Sequence, residues 1–179
     1  MKQKEADANT LAKARGIKLL ALDVDGVMTD GKLYFGQQGE SLKSFSILDG
    51  LGIKLLSDCG IECAIITGRS SAIVQQRATE LSIKHVVQGR EDKLTALMEL
   101  LAQLNLSKEQ TAYMGDDLPD LAAIRFCRFG ITVANAYPAI KQHADWVCSN
   151  SGGSGAVREV ADILLTANGY YDDVIARYL

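Results

Sequence analysis

No apolar run in this 179-residue chain approaches the roughly 20 consecutive residues that a membrane-spanning helix needs. Met1 to Arg15 is polar and holds no apolar core of a secretory signal. A cytoplasmic location is therefore the expectation. Charge of one sign is equally scarce: 19 Lys and Arg stand against 22 Asp and Glu, a net charge of −3. That balance offers no electrostatic case for nucleic acid or an anionic membrane surface. The four cysteines, Cys59, Cys63, Cys127 and Cys148, fit no zinc-binding spacing. Free thiols are expected rather than a disulfide.

What is present is a chain long enough for one domain with a real core. Apolar runs alternate with helical patterns. The runs Lys18 to Leu22, Glu62 to Ile66, His85 to Val87, Thr111 to Met114, Gly130 to Val133 and Asp145 to Val147 read as strands. Gly50 to Cys59, Ser71 to Leu81, Lys93 to Leu104, Leu118 to Phe126 and Gly155 to Ala167 read as helices. Such alternation predicts an α/β fold, a doubly wound parallel sheet covered on both faces. Ligands of such sheets bind beyond the carboxyl ends of the strands.

Four polar signals fall near those ends. Asp23-Val24-Asp25-Gly26 follows the first strand, and two carboxylates at i and i+2 there can reach one point. The glycine lets backbone approach a ligand closely. Thr67-Gly68-Arg69 follows Ala64-Ile65-Ile66, Lys93 opens an apolar-periodic helix, and Gly115-Asp116-Asp117-Leu118-Pro119-Asp120 follows the fourth strand. Any one alone is as well explained by a polar turn or a solvated charge. A cation at a helix start is disfavoured by the macrodipole, so Lys93 hints at a nearby anion. Together the set suits a nucleophile, an acid/base partner and a cation holding a phosphate.

In order and spacing, these elements resemble the haloacid dehalogenase superfamily of phosphohydrolases, with its Rossmann-like fold. Asp49-Gly50-Leu51-Gly52-Ile53-Lys54 and Gly152 to Glu159 resemble one branch, the 3-deoxy-manno-octulosonate 8-phosphate phosphatases of lipopolysaccharide precursor synthesis. The resemblance covers Ile17 to about Ala167. It implies that Asp23 is the nucleophile, that Asp25 is the acid and base, and that Thr67 and Lys93 hold the phosphate. It implies Mg2+ held by Asp23, the main-chain carbonyl of Asp25 and Asp116, with Asp117 and Asp120 orienting the ligands. The substrate positions implied are Asp25, Ser46, Ile47, Leu48, Asp49, Gly50, Lys54, Gly68, Arg69, Arg77 and Lys93. Arg69 and Arg77, eight residues apart, are expected to share a helix face toward an acidic sugar. Leu48 departs from the branch, many members of which carry arginine there.

Residues 32–47 break the alternation. Leu33-Tyr34-Phe35 and Leu42 to Ile47 flank Gly36-Gln37-Gln38-Gly39 and read as a β-hairpin insertion. A lone hairpin is marginal in water, so this one needs something to pack on: its own domain, or a neighbouring subunit. The resembled family favours the latter, in a homotetramer. The gaps between motifs leave no room for a cap domain. Residues 1–16 read as an N-terminal arm and 168–179 as a tail, disordered from Asp172 onward, while Ser149 to Gly155 reads as an ordered rim of the site. Competing readings are a phosphatase of a nine-carbon sialic-type sugar phosphate and a phosphoryl-accepting receiver domain.

Overall fold

The computed structural model describes residues 6–179, so residues 1–5 of the expected arm lie outside the described residues. Among the described residues, β1 (Leu19–Leu22), β4 (Glu62–Ile66), β5 (His85–Val87), β6 (Thr111–Gly115), β7 (Phe129–Thr132) and β8 (Trp146–Val147) form one parallel sheet. Its order is β5-β4-β1-β6-β7-β8. The order reverses beside β1, which makes the β1–β6 boundary the topological switch point. A separate pair, β2 (Tyr34–Gly36) and β3 (Gly39–Leu42), forms the hairpin. The helices are α1 (Ala8–Ala14), α2 (Ile47–Asp58), α3 (Ala72–Glu80), α4 (Lys93–Leu104), α5 (Leu121–Phe126), α6 (Pro138–Lys141), α7 (Ala156–Ala167) and α8 (Tyr171–Ala176).

Side-chain alternation on the strands feeds two cores. Leu20, Leu22, Ile65 and Met114 pack with α1, α2, α3, α7 and α8 on one face. Leu19, Ala21, Ile66 and Tyr113 pack with α4, α5 and α6 on the other. Gly52 permits the close approach of α2 to α7, since a Cβ there would lie 3.1 Å from the Cα of Arg158. Among the described residues, the intervals between β1, β4 and β6 hold the hairpin, α2, α3, β5 and α4, and no cap domain. No described helix is long and apolar enough to cross a membrane. The four cysteines are free thiols, as expected.

Several expected boundaries move. The second hairpin strand ends at Leu42 rather than Ile47, because Ser46 caps α2 by accepting hydrogen bonds from the amides of Leu48 and Asp49. Arg69 and Arg77 do not share a helix face. Ser71 starts α3, so Arg69 lies in the preceding loop. The tail is not disordered from Asp172: α8 spans most of it and buries Val174 against the first core. The arm carries α1, capped by Asp7 and buried at Thr10 and Ala14.

The Ser149 to Gly155 stretch is ordered, and two buried carboxylates hold it. Glu159 accepts from Trp146 Nε1 (3.1 Å), the amide of Ser149 (2.9 Å) and both the amide and side chain of Asn150 (3.1 and 2.9 Å). Asp49 accepts from the amides of Gly155 (3.3 Å) and Arg158 (2.8 Å) at the start of α7. Burial pushes the Asp49 carboxyl up, against the pull of those amides. Glu159→Ala is expected to cost about 3 kcal/mol in urea unfolding, since each buried donor left without an acceptor costs roughly 1–3 kcal/mol.

Candidate active site

The parallel register levels the strand ends. Leu22 pairs with Ile65 of β4 and Met114 of β6, so Asp23, Thr67 and Asp116 emerge on one rim at the switch point. All three belong to the set expected from sequence. Lys93, the first residue of α4, reaches into the same place. Its ammonium lies 2.9 Å from Asp23 Oδ1 and 2.7 Å from Asp120 Oδ1, with about 6% of its side chain exposed. Carboxylate oxygens of Asp23, Asp116 and Asp120 come within 4.8 Å of one another.

The charges do not balance. Three carboxylates surround one ammonium, leaving a surplus of two negative charges in a largely buried space. Burial and then the charge of Asp120 push the Asp23 carboxyl up. The same two causes push Asp116 up to about 7. Burial works against the Lys93 ammonium, but Asp23 and Asp120 outweigh it and hold its pKa above the ordinary value. Asp120 is the best satisfied of the three. It also accepts from Tyr113 Oη (2.8 Å) and the amides of Asp116 (3.1 Å) and Asp117 (3.3 Å). Burial, with the Asp120 charge, keeps the Tyr113 phenol protonated as a donor. Asp117 instead turns outward and accepts from the Leu118 amide at 2.8 Å.

Glycines set the clearances. Gly26, at φ +98°, lies against Asp116: a Cβ there would sit 2.1 Å from Asp116 Oδ2. Gly152 backs the same turn, and its Cβ would meet the Gly26 carbonyl at 1.8 Å. The Gly153 amide donates to the Val27 carbonyl at 2.9 Å. The chain of contacts thus runs from Glu159 through the glycine loop to the turn that carries Asp25.

Thr67 is buried, its hydroxyl accepting from the Arg69 amide at 3.4 Å. Gly68 and Arg69 continue that loop, and the Arg69 guanidinium faces Asp25 Oδ2 at 3.6 Å and Glu40 at 3.4 Å. The other implied substrate positions fall in two groups. Ile47 and Leu48 stand exposed on the first turn of α2. Ser46 and Asp49 spend their side chains on capping, and Arg77 lies under the loop, donating to the Ser46 carbonyl at 3.4 Å and stacking over Phe45. Gly50 makes room for it: a Cβ there would lie 2.5 Å from Arg77 Nη2. Lys54 is exposed two turns into α2 and is not brought into the cluster. Sequence reasoning missed Tyr113 and Lys43. Lys43 pairs with Asp25 Oδ1 at 2.5 Å and Glu40 at 2.9 Å.

The sequence matches the haloacid dehalogenase-like hydrolases over residues 85–160. It is 46% identical to the 3-deoxy-D-manno-octulosonate 8-phosphate phosphatase KdsC of Escherichia coli K12 over 93% of this chain and 88% of the relative. The Yersinia pestis enzyme of the same name is also 46% identical, over 89% and 85%. The chain belongs to the haloacid dehalogenase-like hydrolases. A crystal structure of the Moraxella catarrhalis phosphatase, in complex with magnesium, phosphate and KDO, superposes with a TM-score of 0.95 at 45% identity, covering 97% of this chain and all of the other. The cobalt-bound Haemophilus influenzae enzyme gives 0.87 at 44%, over 89% and 93%. Within the superfamily this chain is a member of the 3-deoxy-D-manno-octulosonate 8-phosphate phosphatase family.

A divalent cation fits the donors present, because it would cancel the surplus of two charges and because Gly26 leaves Asp116 room to serve. Gly26→Ala is expected to weaken Mg2+ binding at least about ten-fold in titration calorimetry. The added methyl would displace Asp116, and the positive φ would add strain of roughly 1–2 kcal/mol.

Proposed function

We propose that this chain is a magnesium-dependent phosphatase that converts 3-deoxy-D-manno-octulosonate 8-phosphate to the free sugar acid and phosphate. The observation that carries this reading is the surplus of two negative charges where the central strands end. The named relatives carry this activity in their names, and the Moraxella protein was solved with magnesium, phosphate and the sugar acid.

Asp23, the main-chain carbonyl of Asp25 and Asp116 would hold the Mg2+, which when bound screens the phosphate oxygens from the carboxylates around them. Asp23 attacks phosphorus while the bond from phosphorus to the sugar oxygen breaks. Asp25 hands its proton to that oxygen. Water then attacks the aspartyl-phosphate, its proton passes to Asp25, and phosphate leaves Asp23 free. Lys93 and the Thr67 hydroxyl hold phosphate oxygens. Asp120 fixes Lys93 and, through the Asp116 amide, the third carboxylate; Asp117 closes the turn beside it.

At the mouth, Arg69 is the proposed partner for the sugar's carboxylate, with Gly68, Ile47, Leu48 and Lys54 along the rim. Ser46, Asp49, Gly50 and Arg77 act through the loop they hold in shape. Leu33, Phe35 and Leu42 leave the hairpin apolar and exposed, and we assign that face to neighbouring copies in a homotetramer that closes the uncapped site. Phe45 is not part of that face; it packs inward on the first core. The free thiols fit the cytoplasm as the proposed location.

Phosphate release decides the substrate. The eight-carbon acid should exceed nine-carbon acids and neutral hexose phosphates in kcat/KM, and chelation should abolish turnover until Mg2+ returns. Asp23→Asn should lower turnover at least about a thousand-fold with an unchanged circular dichroism spectrum. A hexose phosphate turned over equally well would refute the substrate and leave the phosphatase. Phe35→Glu should shift the mass in light scattering to smaller species; a wild-type chain that is monomeric at micromolar concentration would refute the tetramer.

A further inference from the structure

The carboxylate of Asp25 has two oxygens in different surroundings. Oδ1 is held at 2.5 Å by the Lys43 ammonium, whose side chain is about 1% exposed just beyond β3. Among the described residues, Oδ2 is ion-paired only with a looser neighbour, Arg69 Nε at 3.6 Å. Lys43 is itself fixed. Glu40 Oε1 lies 2.9 Å from it, Arg69 Nη2 lies 3.4 Å from the same oxygen, and Ser71 Oγ donates to Glu40 Oε2 at 2.6 Å.

This network, unlike its neighbour, is balanced in charge. With both acids ionised, two cations face two carboxylates and no counter-ion is called for; a proton taken up by Asp25 before the reaction goes to Oδ2, the oxygen that Lys43 does not hold. It also spans three separate pieces of chain: the turn after β1, the hairpin, and the start of α3. Burying a lysine stem to this degree costs side-chain entropy and desolvation. If the network did no more than pin the hairpin, a pairing of Glu40 with Arg69 and Ser71 would serve, and Asp25 would be left free to rotate. Lys43 instead reaches past Glu40 to the turn that holds the catalytic carboxylates.

We propose that Lys43 is a positioning residue for the phosphatase reaction: it fixes the Asp25 carboxyl through Oδ1 and leaves Oδ2 to give its proton to the leaving oxygen. This role rests on the reading of Asp25 as proton donor given above. The bond changes are those of the first half-reaction. The P–O bond to Asp23 forms, the P–O bond to the leaving group breaks, and one proton moves from Asp25 to the departing oxygen.

A leaving group that needs no proton is indifferent to where Asp25 points, and that distinguishes positioning from simple stapling. The test uses kcat/KM, which reports steps up to transfer to Asp23, on phenyl phosphate and p-nitrophenyl phosphate with Mg2+ present. Neither ester carries the sugar, so a lost sugar contact cannot mimic the effect. Lys43→Met should lower kcat/KM at least about ten-fold for phenyl phosphate and less than about three-fold for p-nitrophenyl phosphate, in the range of general-acid effects. Lys43→Arg, which keeps the cation, should restore most of the loss. Equal losses on both esters, or no loss, would overturn the proposal. Should Lys43→Met fail to fold, Glu40→Gln carries the test. It loosens Lys43 without touching Asp25, and the same unequal loss, smaller in size, is expected; an equal loss again overturns the role. A wild-type chain that releases phosphate from neither these esters nor the sugar phosphate would instead overturn the functional reading itself.

Discussion

One ammonium shared by two buried carboxylates sets the form of this molecule's centre. Lys93 lies between Asp23 and Asp120 where the sheet order reverses, and Asp116 adds a third carboxylate to the same space. Charges taken out of water cost several kcal/mol each unless they are paired and hydrogen-bonded. The fold meets that demand unevenly. Asp120 has a cation, a phenol and two amides, while Asp23 and Asp116 are left underpaired and pushed toward protonation. The unmet part is the part that can bind something.

Two buried carboxylates outside the cluster make the contrast plain. Asp49 and Glu159 are as buried as Asp23, yet they face backbone amides and an indole rather than other acids. Satisfied in this way, they tie α7 and the Ser149 to Gly155 loop to α2 and to one another. Through Gly152 and Gly153 that rigidity reaches the turn bearing Asp25. Acids bonded to amides hold the frame, and acids crowded by acids form the site.

Most of the sheet and the cluster could be read from the chain. Buried parallel strands are continuous apolar runs, and the polar residue that ends each run must lie on the same rim, so Asp23, Thr67 and Asp116 are marked by position alone. Lys93 was marked by an unfavourable place at a helix start. Other features depend on contacts distant in sequence and leave little local trace. Lys43 shows in the sequence as no more than a charge pair with Glu40 in a hairpin arm. Asp49, implied as a substrate contact, caps a helix 106 residues away. Arg69 and Arg77 have helical spacing, but Ser71 begins the helix between them. A segment this short carries little periodic signal of its own, and α8 forms because Val174 and Tyr171 find an apolar surface supplied by α7 and the body.

The clearance at Gly152 has a consequence for how the protein comes into being. The turn that carries Asp23 and Asp25 is made long before Gly152 and the loop that backs it. Contacts so far apart close late, after the local helices and the neighbouring strands. A partly synthesised chain therefore holds both acids of the turn after β1 and none of the wall behind them. The site is complete only when that loop and α7 are in place, as a property of the folded molecule and not of the stretch of sequence that announces it.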